Sequence, residues 1–230
     1  MVAIDNAITV VSTRARDHLP DGSIMEGGPA HYIGTALDRL GHPWELITGQ
    51  VAPVHVALYG GEEHYVIPSL EPIALPPTLP GPATILSPIM REIPPEAVPA
   101  TEGLLLLDLQ GFVRRPSTPE LGKDVDLTAL LARADAVKAS PAELAALDSA
   151  SRRMLDHTVV LVTGGERGTV VRHRGREWRV AAQPVRAHHS IGAGDMYLGA
   201  FAVALLRRHE PCEAAEFAAR FTERMLAERA

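Results

Sequence analysis

Cysteine occurs once, at Cys212, so no disulfide can close within the chain, and a reducing, cytoplasmic setting is the expectation. Aromatic residues make up only 4%, too few for the stacked platforms that hold oligonucleotides. Basic residues are outnumbered, 22 against 28 acidic, for a net charge of −6; neither nucleic acid nor an anionic membrane is an expected partner. No apolar run reaches the ~20 residues of a bilayer-spanning helix, and Met1-Val2-Ala3-Ile4-Asp5 lacks the layout of a signal peptide. Familiar nucleotide and metal signatures are missing as well. Gly122-Lys123 is followed by Asp124, with Ser117 where a Walker A loop would begin with glycine. There is no Gly-x-Gly-x-x-Gly and no His-Glu-x-x-His. His188 and His189 are adjacent, and neighbours on an extended segment point to opposite sides, a poor pair for one ion.

What is present centres on Ser190-Ile191-Gly192-Ala193-Gly194-Asp195, followed by an uncharged apolar run over 196–206. A helix that is apolar all round is buried, and its first N–H groups have no preceding turn to accept their hydrogen bonds. Glycines there leave the amides open to a ligand, and the natural partner at a positive helix end is an anion such as phosphate. Asp195 stands at the mouth of that site, where proximity to the helix end predicts a low carboxylate pKa. By themselves, the same residues also read as a turn with a helix cap.

The rest of the chain alternates strands and helices. Short strands are expected at 2–4, 8–11 and 44–48, with a turn over 18–22, a bend at Gly27-Gly28-Pro29 and a helix over 30–40 that Gly41 ends. Residues 54–59 and 64–67 read as a hairpin around Gly60-Gly61. Six prolines between 68 and 82 mark a crossing linker. Buried strands follow at 84–86, 104–109, 136–138 and 158–163, with helices at 127–134 and 141–148, the second opened by Ser140, Pro141 and Glu143 as a capping box. A hairpin around Arg174-Gly175 precedes the apolar helix, and a last helix carries Ala214, Phe217, Ala218, Phe221 and Met225 on one face. A mostly parallel α/β sheet with helices on both faces is the expected architecture.

Four more segments sit where such sheets bind ligands, at strand ends. Thr163-Gly164-Gly165-Glu166-Arg167-Gly168 would admit a flat ring or a phosphate chain, or is a hairpin-entry turn. Lys138-Ala139-Ser140-Pro141-Ala142-Glu143 offers a carboxylate for Mg²⁺, directly or through water, or only a helix cap. Asp108-Leu109-Gln110-Gly111-Phe112-Val113-Arg114 brings an acid, an amide and a fixed cation to one strand end, unless Arg114 belongs to a solvated turn. Gly27-Gly28-Pro29-Ala30-His31-Tyr32 would let a polyhydroxylated substrate approach backbone, or is only a bend.

Taken in order, these segments resemble the ribokinase-like (PfkB) carbohydrate kinase family from about Asp5 onward. Ile191-Gly192-Ala193-Gly194-Asp195 with its apolar helix is similar to the family's C-terminal signature, and Gly27-Gly28 with the helix after it to the N-terminal one. Ser140-Pro141-Ala142-Glu143 is similar to the family's Asn-x-x-Glu, with serine for asparagine. The run from Leu107 to Arg114 resembles inositol-kinase-like members. The resemblance implies a three-layer α/β/α ribokinase-like sheet forming a single domain over 1–230, with residues 5–30 and 50–70 contributing a small, reduced β lid. It further implies transfer of the γ-phosphate of ATP to a hydroxyl of a sugar or polyol. Asp195 would be the base, and the amides of Gly192, Ala193 and Gly194 the anion hole. Lys138, Ser140, Thr163, Gly165 and Gly168 would bind the nucleotide, Glu143 would organise Mg²⁺, and Asp5, Gly27, Gly28 and Arg114 would contact the acceptor. Pairing of two copies through the lid is a further implication. Two departures stand out: the usual Gly-x-Asp-x-x-Gly, helix and strand after 46–49 are missing, and Tyr32 replaces a substrate-binding asparagine. A non-catalytic, ligand-binding relative is the alternative.

Overall fold

A computed structural model describes residues 6–18, 22–59, 62–67, 69–115, 118, 120–185 and 190–229, with backbone alone at 56–59 and 62–65. The expected strand at 2–4, Asp5, and His188 and His189 lie outside the described residues. In chain order the elements are β1 (Ile8–Ser12), β2 (Ala15–His18), β3 (Ile24–Gly27), α1 (Gly28–Arg39), β4 (Trp44–Ile47), β5 (Ala52–Tyr59) and β6 (Glu62–Val66). Next come β7 (Thr78–Leu79), β8 (Ala83–Ser87), β9 (Ala100–Thr101), β10 (Leu104–Asp108), α2 (Leu109–Val113), α3 (Thr128–Leu131), β11 (Ala136–Ala139), α4 (Pro141–Ala146) and α5 (Ser149–Met154). The chain finishes with β12 (Val159–Thr163), β13 (Thr169–His173), β14 (Arg176–Val180), α6 (Ala193–Leu206) and α7 (Pro211–Ala227).

Eight strands form the central sheet in the order β14-β13-β12-β11-β10-β8-β1-β4. From β4 to β12 every neighbouring pair is parallel; β13 and β14 close one edge antiparallel. The parallel strands are apolar on both sides because both faces are covered. Val10, Ile85 and Leu106 face a core with Ile33 and Leu37 of α1, Phe201 of α6 and Phe221 of α7. Val11, Leu86, Leu105 and Leu107 face the opposite core with Phe112, Leu130, Leu131 and Val137. This is the mostly parallel, three-layer α/β/α architecture that the resemblance implied.

Helix α6 is buried from Met196 to Ala204, as an uncharged run dictates. Gly199 lets it approach α1: a Cβ there would sit 3.3 Å from the Cβ of Ala36 and from the carbonyl oxygen of Ile33.

A second, four-stranded sheet has the order β3-β2-β5-β6. The β5–β6 hairpin occurs as its alternation suggested; β2 and β3, between which the expected turn over 18–22 falls, were not anticipated, and residues 19–21 of that turn lie outside the described residues. On β2, Ala15 and Asp17 are buried while Arg16 is exposed. A carboxylate on the inward face breaks the apolar pattern that would have marked the strand. Two other boundaries move. Leu109 starts α2 rather than ending a strand, because the Asp108 carboxylate accepts from the Gln110 amide (3.2 Å) and caps that helix. The helix expected over 127–134 is one turn long, α3.

Candidate active site

The sequence of strand ends builds the site. The central sheet reverses its order of filling around β1, and such a switch point opens a crevice at the carboxyl ends of the strands. A cavity of about 290 Å³ lies there, reached by Ile89 after β8, Gln110 and Arg114 of the α2 segment, and Lys138 on β11. Ser140, Glu143 and Thr163 complete that side, and Gly192, Ala193, Gly194 and Asp195 bring in the start of α6. The smaller sheet roofs it with Ala15, Asp17, Val54 and, just past β6, Ile67.

Register explains the charge cluster. Asp108 and Lys138 are paired positions on adjacent parallel strands, so their side chains leave the sheet on the same side. The Lys138 ammonium donates to Asp108 Oδ2 in a buried ion pair. Gly194 crowds the same ammonium: a Cβ at 194 would lie 3.0 Å from Lys138 Nζ. Burial alone would lower the lysine pKa, but Asp108, then Asp195 and Glu143, hold it above its ordinary value. Lys138 is therefore a cation at neutral pH, placed against the first turn of α6.

Asp195 differs from its expectation. Its pKa is pushed up to about 7, chiefly by burial, with the Asp108 charge adding to the rise. Lys138, Arg114 and the Ser87 hydroxyl pull it back without cancelling that cost. Helix-end stabilisation is worth less here than loss of water, which is why the low value expected from the motif is not found. Its Oδ1 is enclosed and has no hydrogen-bond donor among the described residues.

The amides also depart from expectation in one respect. Gly192, with φ +77°, is the left-handed N-cap of α6. The Ala193 amide donates to Ser190 O (3.0 Å), so it is not open, and the first bond into the helix is Met196 N to Gly192 O (3.0 Å). The amides of Gly194 and Asp195 are left at the helix start with no acceptor one turn back. A Cβ at Gly192 would strike the Tyr32 ring at 2.1 Å, so this glycine is fixed by packing as well.

Glu143 forms the capping box that its spacing predicted: its carboxylate accepts from Ser140 N at 2.6 Å and the Ser140 hydroxyl from Glu143 N at 3.3 Å. Burial, then Asp108, raises its pKa against Lys138 and the Ser140 bonds. A raised carboxylate on a cavity wall suits a divalent cation, which would restore its charged form. No cluster of three or more His, Cys, Asp or Glu fit to hold a metal occurs among the described residues.

Of the other expected site residues, Ser140, Thr163, Gly28 and Arg114 line the cavity, whereas Gly165 and Gly168 do not. Those two belong to the tight turn after β12, where a Cβ on Gly168 (φ +79°) would lie 2.2 Å from Val180 O. Gly27 acts one step back: a Cβ on it would lie 2.0 Å from Asp17 Oδ2, so the glycine makes room for that carboxylate. Asp17, whose pKa burial raises against the pull of His18, is a wall residue that sequence reasoning missed. The double glycine was the available signal, since a residue without Cβ marks a close approach. Arg114 donates to Ile89 O (2.8 Å), and Glu92, fully buried, accepts from Ile89 N, Met90 N and the Thr13 hydroxyl at 2.6–2.7 Å.

Comparison with known proteins places this arrangement. The sequence profile described as pfkB family carbohydrate kinase matches residues 108–223, half of the chain, and the chain belongs to that family. No curated protein sequence gives a significant match. Among solved structures, ribokinase of Arabidopsis thaliana complexed with ribose and ATP superposes with a TM-score of 0.70 at 16% identity, covering 97% of this chain and 93% of that one. A pyrophosphate-dependent kinase of the ribokinase family, complexed with a pyrophosphate analog and myo-inositol, gives 0.69 at 18%, covering 95% and 94%. Fructokinase from Vibrio cholerae O395 gives 0.67 at 18%, covering 98% and 99%. At these identities the likeness is one of fold. No helix among the described residues is long and apolar enough to cross a membrane.

Proposed function

We propose that this protein transfers the γ-phosphate of ATP to a hydroxyl of a small sugar or polyol. The observation that carries the reading is the meeting, in one cavity, of the Asp195 carboxylate, whose Oδ1 is enclosed with no donor among the described residues, a lysine ammonium and a helix start. Asp195 takes the proton of the attacking hydroxyl, which a weak base can do because phosphoryl transfer has a loose transition state. The amides of Gly194 and Asp195 and the Lys138 ammonium offset charge on the moving phosphoryl group. Ser140 and Thr163 flank the phosphate chain, and the turn at Gly165 and Gly168 borders the nucleoside. Glu143 would hold Mg²⁺, which neutralises phosphate charge when bound. Asp17, Gly28 and Arg114 face the acceptor beneath a lid made by the smaller sheet, and Gly27 seats Asp17. A polyol of inositol type is the first acceptor to try, since Gln110 and Arg114 belong to the run that resembles inositol-kinase-like members.

The test is ADP release from Mg-ATP over a panel of sugars, polyols and nucleosides. Asp195→Asn is expected to lower the rate on the order of 10²–10⁴-fold. A specific observation favours a second reading: the Ala193 amide and one Glu143 oxygen are already engaged. In that reading the chain binds nucleotide without turnover, and tight ATP binding with no ADP formed from any acceptor would select it.

A further inference from the structure

Asp108 does not line the cavity, yet it holds the cavity's ammonium. The geometry points to Asp108 as a positioning residue that keeps Lys138 occupied, so that Asp195 Oδ1 is left without a donor and able to accept a proton. This rests on the kinase reading above.

Three observations support it. Lys138 is the cation that crowds the start of α6, and two aspartates compete for it; its ion pair goes to Asp108, while Asp195 Oδ1 has no donor among the described residues. Asp108 is itself held, buried at the end of β10, accepting from Gln110 N at 3.2 Å and from the Ser87 hydroxyl at 3.5 Å. Finally, adjacent-strand register fixes the pair: Asp108 and Lys138 stand opposite each other on β10 and β11, so the choice of partner is set by the sheet and not by a mobile side chain. An ammonium paired with Asp195 would tie up the oxygen that must receive the hydroxyl proton. The groups acting on Asp195 are Lys138 from β11, Asp108 from β10, Arg114 beyond α2 and the Ser87 hydroxyl ending β8, with Glu143 of α4 acting on the same lysine.

The experiment compares wild type, Asp108→Asn and Lys138→Met. Asparagine keeps an acceptor for Gln110 N, and melting curves check that each variant folds. The pH dependence of kcat with Mg-ATP and an acceptor is read first. Asp108→Asn releases the ammonium to Asp195, so the acid limb moves to lower pH by about one unit. In the same variant kcat on the plateau falls about tenfold, with acceptor KM unchanged. Lys138→Met leaves Asp108 in place and moves the limb the other way. A limb that stays put or rises in a folded Asp108→Asn protein overturns the proposal, as does a fall in Lys138→Met. Carbon-13 NMR titration of the Asp195 carboxyl without substrate gives the same comparison independently of turnover. Should wild type phosphorylate no acceptor, the kinase reading fails; the titration still decides whether Asp108 keeps the lysine off Asp195.

Discussion

Asp195 is held ionisable near neutrality by the loss of water around it, and this has a cost in the free protein. Its folded pKa of about 7 lies above the ordinary 3.8. The folded state therefore binds the proton more tightly, and the stability this gives, complete below about pH 4, is lost as pH rises to 7. Asp195→Asn removes that loss, so the ligand-free variant should melt higher than wild type at pH 8, by about 2–4 °C for each ~1 kcal/mol gained. The difference should shrink at pH 5, and scanning calorimetry at the two pH values checks it. Glu92 has a structural part instead. Its carboxylate satisfies two buried amides and a hydroxyl, and Glu92→Ala would strand all three at a cost of about 2–4 kcal/mol in urea unfolding. Because Ile89 also receives the Arg114 guanidinium, the acceptor KM should rise in that variant as well. At this scale the sequence was legible where chemistry is local, as in the Ser140–Glu143 capping box. It was not legible where chemistry is remote: Asp17 is seated by Gly27 across the β2–β3 pairing, and Asp108 meets Lys138 only through strand register.

Among the elements, α6 joins the core to the chemistry. Its apolar length fixes it between α1 and α7, and its N-terminus then has no freedom to move away from the cavity. Gly194 is the point where the two roles meet. Alanine is the better helix former by roughly 0.5–1 kcal/mol, but its Cβ would lie 3.0 Å from the tip of Lys138. Gly194→Ala should therefore leave the melting temperature level or raised while lowering kcat about tenfold or more through displacement of the ammonium. A fall in melting temperature with kcat unchanged would contradict that assignment. The helix itself was plain in the sequence, since eleven uncharged residues admit few other fates. Strands β2 and β3 were not, because Asp17 turns inward toward the cavity and spoils the alternation by which a half-buried strand is recognised.

Across the whole molecule, the cavity joins two sheets with unequal cores. The eight-stranded sheet is packed on both faces by large clusters, whereas the smaller sheet meets a cluster of Ala15, Ala52, Val54, Ile67, Ile89 and Met90. Local opening follows the amount of buried apolar surface. In hydrogen exchange, amides of β2 and β5 should exchange well before those of β8 and β10 in the free protein. Binding of Mg-ATP and acceptor together should slow the first group selectively. Equal protection of both sheets without ligand would argue against a lid. The amino-acid order by itself determined the alternation of the central sheet's strands and helices, the buried helix and the family, because periodicity, caps and glycine spacing act over a few neighbouring residues. Only the tertiary structure decided that Asp195 sits high in pKa, that Lys138 answers to Asp108, and that Asp17 enters the wall. Those outcomes depend on burial and on charges brought together from residues 17, 87, 108, 138 and 195, and no local pattern encodes such distances.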